Sequence, residues 1–206
     1  MTLYLDDVDP AGPGLPWKPF TIPGSTPAVD LMRLEADPAD GASTLLVRFP
    51  PGWNRPGPGH YLSGEEFVVL EGALTVSGVL YGPGDRGWVP AGATRRDSGT
   101  ETGALALAWF SGAPAYVEGE AAEPSGRTAE RTPLLTVPIP DGGLPLRSGD
   151  TGETRLYERA PASFAAAARV LWPDGTDGPR WTAFGPGDPV PAGRAGRAFV
   201  HLRYSI

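Results

Sequence analysis

Apolar positions in this chain come in short runs that glycine and proline cut apart. From Val29 onward the first block reads VDLMRLE, STLLVRF, EEFVVLE, ALTVSGVLY and GALALAWF. A second block reads LLTVPI, TRLYER, ARVLW, RWTAF and RAFVHLRY. Many short strand-like runs at even spacing, with turn signals between them, predict an all-β sandwich or barrel. The longest stretch free of Gly and Pro with helix-forming composition, SFAAAARVLW at 163–172, fits one short helix or a strand, and we read it as a strand. The 29 Gly and 25 Pro are spread along the whole length, so they punctuate many short elements and leave little room for helices.

The runs divide the chain. Residues 1–28 form an irregular Pro/Gly-rich arm with Trp17 and Phe20 available to pin it down, and residues 29–118 form a first β-module. The polar stretch 119–133 is the predicted linker, and residues 134–206 are a second module. The two modules share a phrase: YGPGDRGWVPAG at 81–92 is echoed by FGPGDPVPAG at 184–193, and each leads through small residues into a strand-like run. A looser echo joins LMRLEADPADG at 31–41 to LPLRSGDTGE at 144–153. Echoes that recur in the same order point to a duplicated module.

Charge and composition then remove function classes. The 206 residues, 40% hydrophobic, can supply a sizeable core. A net charge of −7 repels phosphate backbones and anionic lipid surfaces, so neither nucleic acid nor membrane is an expected partner. With no Cys there is no disulfide, thiolate metal site or Cys nucleophile. The opening MTLYLDDVDP lacks the cations and apolar run of a signal peptide, so we expect a cytoplasmic protein. No phosphate-cradling GxxxxGK and no serine nucleophile elbow occur.

The stretch RPGPGHYLSGEEFVVLEG at 55–72 carries the most specific signal. His60, four residues, Glu65, six residues and Gly72 fit the second half of the first cupin motif, G-x5-H-x-H-x3,4-E-x6-G. Gly84, five residues and Pro90-Ala91-Gly92 fit the start of the second, G-x5-P-x-G-x2-H. Residues 29–112 thus resemble the cupin superfamily, and the echo resembles a bicupin with a degenerate second copy. The resemblance implies a jelly-roll barrel whose interior holds a metal on histidines and a glutamate. Here the first histidine position is Pro58, and the histidine expected after P-x-G falls on Arg95. If His60 instead takes the first histidine position, the second is Leu62 and the acid slides to Glu66. Either register leaves two ligands, of which His60 and Glu65 are the matched pair. The only other histidine, His201, lies in the second module.

Two ligands hold a first-row metal poorly, since such sites use three or four protein groups. We therefore expect no cofactor, or a weakly bound divalent metal. Strand alternation turns one of Glu65 and Glu66 inward and the other outward. Arg95 either faces the cavity, where it neutralises the inward glutamate or forks onto a substrate carboxylate, or points to solvent with Arg96 beside Asp97. Trp53, Trp88, Trp109 and Tyr81 are either pocket walls or plain core. The resulting expectation is a small-molecule-binding cupin of enzymatic descent. His60 and Glu65 are its acid/base candidates, and Arg95, Glu66, Trp88 and Trp109 its substrate contacts. A metal-dependent enzyme of dioxygenase or isomerase type and a non-catalytic sensor are the alternatives, and the resemblance implies a possible homodimer.

Overall fold

The computed structural model of the chain describes residues 7–121, 129–149, 152–175 and 178–203. These residues are all-β, and no helix among them is long and apolar enough to cross a membrane. They divide into two compact units, one formed by residues 14–132, the other by residues 7–13 and 133–203. Residues 122–128, the centre of the expected linker, lie outside the described residues.

The strands in chain order are β1 (Lys18–Phe20), β2 (Val29–Ala36), β3 (Ser43–Phe49), β4 (Asn54–Arg55), β5 (Gly59–Tyr61), β6 (Glu65–Gly72) and β7 (Leu74–Val76). Then come β8 (Val79–Tyr81), β9 (Asp85–Val89), β10 (Ser98–Gly99), β11 (Ala104–Phe110), β12 (Tyr116–Glu118) and β13 (Glu130–Pro133). Seven of them form an antiparallel sheet in the order β1-β2-β3-β11-β6-β9-β13. A second sheet runs β4-β10-β7-β8, and β5 pairs with β12. The run ALTVSGVLY is a hairpin rather than one strand. Ser77 and Gly78 both take positive φ, which matches a two-residue turn to the right-handed twist of its flanking strands.

Alternation sets what faces inward. Phe67 and Val69 of β6, Ala104, Ala106, Ala108 and Phe110 of β11, and Leu74 and Val76 of β7 meet in one buried cluster with Phe49, Trp53 and Tyr81. The β11 alanines leave volume that the rings occupy: Phe49 packs edge-on to Trp53 at 4.6 Å between centroids, and Phe67 to Tyr81 at 4.9 Å. Gly87 of β9 lies directly under the Phe67 ring, where any Cβ would collide with it. Each fully buried aliphatic side chain of this kind contributes about 1.5–3 kcal/mol.

The second unit is one five-stranded sheet. Its strands are β14 (Leu144–Gly149), β15 (Gly152–Tyr157), β16 (Ala167–Trp172), β17 (Arg180–Phe184) and β18 (Ala198–Arg203), in the order β14-β15-β18-β16-β17. The Ala-rich stretch is therefore a strand. LLTVPI is not: the amides of Thr136 and Val137 both turn back onto the Pro133 carbonyl. Phe164, Ala168, Val170, Trp172, Phe184, Ala198 and Val200 fill its apolar core.

The shared phrase folds the same way in both units. Gly82 donates to the Asp85 carboxylate at 2.8 Å and Asp85 to the Gly82 carbonyl at 2.9 Å; Gly185 and Asp188 repeat this at 2.6 and 3.2 Å. The third residue of each turn, Gly84 or Gly187, has φ near +80°, where a side chain would be strained. Each P-A-G turn is closed from the residue that follows it, Ala93 to Pro90 and Arg194 to Pro191, both at 3.1 Å. Pairing corresponds as well. In the order β4-β10-β7-β8 the strand that ends in the phrase is the edge, as β17 is in β15-β18-β16-β17, and Leu74↔Tyr81 matches Ala168↔Phe184. The sheet of the second unit thus has the strand order of the first unit's smaller sheet. In place of the larger sheet's β6·β9 ladder, the described residues keep a single bridge, Ser163↔Pro189. The looser echo falls on strands that do not correspond, since β2 lies in the seven-stranded sheet while β14 edges the smaller one.

Candidate functional site

Between its sheets the first unit has a small, partly open cavity of about 50 Å³, lined by Ile22, Phe49, Trp53, Arg55, Tyr61, Glu65, Phe67, Leu74, Val76, Arg95 and Ser98. Seven of these are apolar or aromatic side chains without a charge, and the polar groups converge from four separate strands or bridges. Glu65 opens β6 on the same face as Phe67. Arg95, three residues after Gly92, is held opposite Gly59 by two backbone hydrogen bonds, of 2.7 and 3.0 Å. Residues opposed in such a bridge point to the same side, so Arg95 follows the face of Gly59 and Tyr61. Gly59 has no side chain because the space is taken: a Cβ there would run into the Tyr116 hydroxyl.

Arg95 is 4% exposed and donates from Nη1 to the Glu65 carboxylate, while its guanidinium lies 4.7 Å from the Tyr61 ring centroid. Its Nε and Nη2, both buried, have no hydrogen-bond partner among the described residues. Arg55 is equally buried. Its guanidinium lies 4.7 Å from the Tyr116 ring and 5.8 Å from Tyr61, and it hydrogen-bonds the Tyr61 side chain. Ser98 stands opposite Arg55 in the β10·β4 ladder, and its buried Oγ is also unpartnered. Burial, reinforced by the Glu65 charge, pushes the Tyr61 phenol above 10.0, so it stays neutral at physiological pH.

Other expected site residues are placed elsewhere. His60 lies between Gly59 and Tyr61, so alternation turns it away from the cavity. It is buried, and its Nδ1 sits 3.4 Å from the Gly119 carbonyl. His60 and Glu65 are therefore not a pair facing one space, and His60 is removed from the acid/base and ligand set on that ground. Glu66 is on the opposite face of β6 from Glu65, ion-paired with Arg86. Trp88 and Trp109 are its cross-strand neighbours in the ladders, so all three face away from the cavity. Trp88 packs where a Cβ on Gly64 would have to sit. Of the expected contacts, Glu65 and Arg95 come together, with Trp53 on the wall. Arg96 is exposed and pairs with Glu120.

Arg55, Tyr61 and Ser98 were not anticipated. A signal for Arg55 exists: in GWNR the period of two puts Trp53 and Arg55 on one face. For Tyr61 the signal was the inverse of the one read, because His60 and Tyr61 cannot both face inward.

The residues present do not fit the metal that the cupin resemblance implies. Such a centre needs three or four lone-pair donors. Arg95, at the position of the last ligand, offers only N–H donors, and Glu65 is already engaged by it. No group of three or more His, Cys, Asp or Glu able to hold a metal ion lies together among the described residues.

The sequence matches no family model, and no curated protein matches it. Its fold does match solved structures. A candidate dioxygenase from Nostoc punctiforme aligns with a TM-score of 0.72 at 16% identity, over 98% of this chain and 87% of that one. A cupin 2 conserved barrel domain protein from Leptotrichia buccalis aligns with a TM-score of 0.54 at 11% identity, over 85% and 89%. A candidate glyoxylate-induced protein from Pseudomonas aeruginosa gives 0.52 at 14%, over 90% and 83%. At these identities the likeness concerns fold, and the fold is that of the cupins.

Proposed function

We propose that the barrel of the first unit binds a small organic anion, with Arg95 and Arg55 in place of the metal that this fold otherwise employs. The observation that carries the reading is the free edge of the Arg95 guanidinium. Glu65 takes Nη1, while Nε and Nη2, the two donors of the side-on fork, are buried and without a partner among the described residues, on a side chain that lines the cavity. An unsatisfied buried donor costs about 1–3 kcal/mol, more when charged, and an anion with two oxygens recovers that cost in bidentate geometry. Arg55 adds a second buried cation, set against the Tyr61 and Tyr116 rings and hydrogen-bonded to the Tyr61 side chain. This replaces the acid/base reading, since the cavity holds no imidazole.

The test is thermal unfolding of the purified chain with and without millimolar sodium carboxylates, since a ligand that binds only the native state raises Tm by mass action. The wild type should be stabilised, Arg95→Ala should lose the effect, and His60→Ala should keep it. Equal stabilisation of wild type and Arg95→Ala would remove the basis of the proposal.

A further inference from the structure

We infer that the open edge of β17 is a recognition site for a peptide segment of acid-aliphatic-acid pattern, closed in this chain by its own residues 7–9. The site lies in the second unit and is independent of the anion reading.

β17 ends its sheet, and an edge strand offers unpaired N–H and C=O groups to an extended chain. Here that chain is the arm. Val8 donates to the Trp181 carbonyl at 2.9 Å and Trp181 to the Val8 carbonyl at 3.0 Å, an antiparallel bridge. The register shows why the pairing does not run on through the arm: Pro10 falls opposite Pro179, and neither has an N–H to give. On the other side the chain bends at Asp7, whose φ is 60°. Asp is among the few residues with a side chain that take this conformation readily. The recognised unit is therefore three residues long.

Its side chains divide by alternation. Val8 follows the face of Trp181, and both are buried. Asp7 and Asp9 turn to the other face, where two cations stand. Arg180 Nη1 meets the Asp9 carboxylate at 3.1 Å, and Arg194 pairs with Asp7 while its guanidinium lies 5.3 Å from the Trp172 ring centroid. The Arg180 and Arg194 side chains are 18% and 24% exposed, against 52% and 41% for Asp7 and Asp9. The charge withdrawn from water thus belongs to the site, and the half-exposed charge to its occupant. Among the described residues no other carboxylate is ion-paired with either arginine. Without Asp7 and Asp9 both guanidinium groups would be stranded, a costly state that any segment carrying two carboxylates at this spacing relieves. Charge sets the first and third positions of the occupant, and the buried face of Trp181 sets the second as aliphatic.

The arm holds this place by one bridge and half-exposed ion pairs, contacts that are individually weak. Its advantage is that it is tethered, so it binds without the loss of translational freedom that a free segment incurs. A partner's segment of the same pattern enters once the arm is released.

The probe is a fluorescein-labelled peptide of residues 5–13, LDDVDPAGP, read by anisotropy at low salt, where exposed ion pairs are least screened. The full chain carrying Asp7→Lys and Asp9→Lys should release its arm, seen as at least tenfold faster amide exchange at Trp181. It should bind the peptide at least tenfold more tightly than the wild type does. Saturating peptide should restore slow exchange at Trp181, and a peptide with lysine at both aspartate positions flanking the valine should not bind. Unchanged exchange at Trp181 in the variant would overturn the role given to the ion pairs. Fast exchange without peptide binding would show an edge that is no recognition site, and equal binding of the lysine peptide would show that the acids are not read. Equal binding of the aspartate peptide to wild type and variant would show that the arm does not close the site. Should the lysine variant fail to fold, Asp7→Asn with Asp9→Asn removes the charges without reversing them and is held to the same outcomes.

Discussion

Removing one member of the Glu65–Arg95 pair should cost far more than removing both in proportion. The two side chains are 14% and 5% exposed, so each is largely withdrawn from water. Deleting one partner of a buried pair leaves the other uncompensated, at about 3–5 kcal/mol. Glu65, the more exposed of the two, is more easily rehydrated once stranded, which places Arg95→Ala near the lower end for the ion pair, about 3 kcal/mol. That variant also loses the contact with the Tyr61 ring at 4.7 Å, worth about another 1 kcal/mol. Glu65→Ala should cost about 3 kcal/mol by stranding Arg95. The double variant strands nothing and should cost about 3–4 kcal/mol rather than the sum of about 7, a coupling of roughly 3 kcal/mol. Urea unfolding at neutral pH followed by circular dichroism gives all four corners of the cycle, provided the slope m is unchanged. A coupling below about 0.5 kcal/mol, the ordinary scatter of independent sites, would refute the claim that these groups share a water-poor interior.

Three further outcomes are expected. Because burial raises the Tyr61 and Tyr81 phenols above their ordinary value, the native state holds those protons more tightly than the unfolded chain. Their contribution to stability is present below about pH 10 and is lost as pH rises through the native values, and Tyr61→Phe should shallow that alkaline decline in a pH series of Tm. Asp85→Ala should destabilise by about 2 kcal/mol, since a buried carboxylate then no longer takes the Gly82 amide or pairs with Arg131, while Asp188→Ala in the equivalent exposed turn should cost less than about 1 kcal/mol in the same urea assay. Protein purified without a His tag should contain well under one equivalent of transition metal per chain by elemental analysis, and stoichiometric Fe, Mn, Ni or Zn would contradict the role given to Arg95.

Strand content was readable because the runs from Val29 to Phe110 carry period-two patterning between strong turn signals, and such local information survives without tertiary context. It failed where a run contained its own breaker, as at Ser77-Gly78, or was hemmed by prolines, as LLTVPI is by Pro133, Pro138 and Pro140. Motif spacing located Glu65 and Arg95. The phase of β5 could not be found from within β5, since GHY reads equally well with His60 in or out. It is the pairing of Gly59 with Arg95, 36 positions along the chain, that turns Tyr61 inward and His60 out. Glu66, Trp88 and Trp109 were misplaced by the same ambiguity: they form one cross-strand row, so an error in the facing of one carries the other two with it.

The G-P-G-D turn also bears on what divergence erases first. Its two closing hydrogen bonds run between its own first and last residues, and its third residue ties it to the backbone beneath, Gly84 to Val69 and Gly187 to Phe164, both at 2.8 Å, so no side chain of the core is needed to hold it. Side chains in a packed interior can drift together, each change compensated by a neighbour, until no trace of common origin is left. A glycine at φ near +80° and an aspartate closing back on its own turn are fixed by backbone geometry rather than by side-chain packing. The likeness of the two halves is thus carried at the bends rather than in the barrel wall. Short loops of this self-closing kind are where a repeat can be sought even when the strands around them do not align.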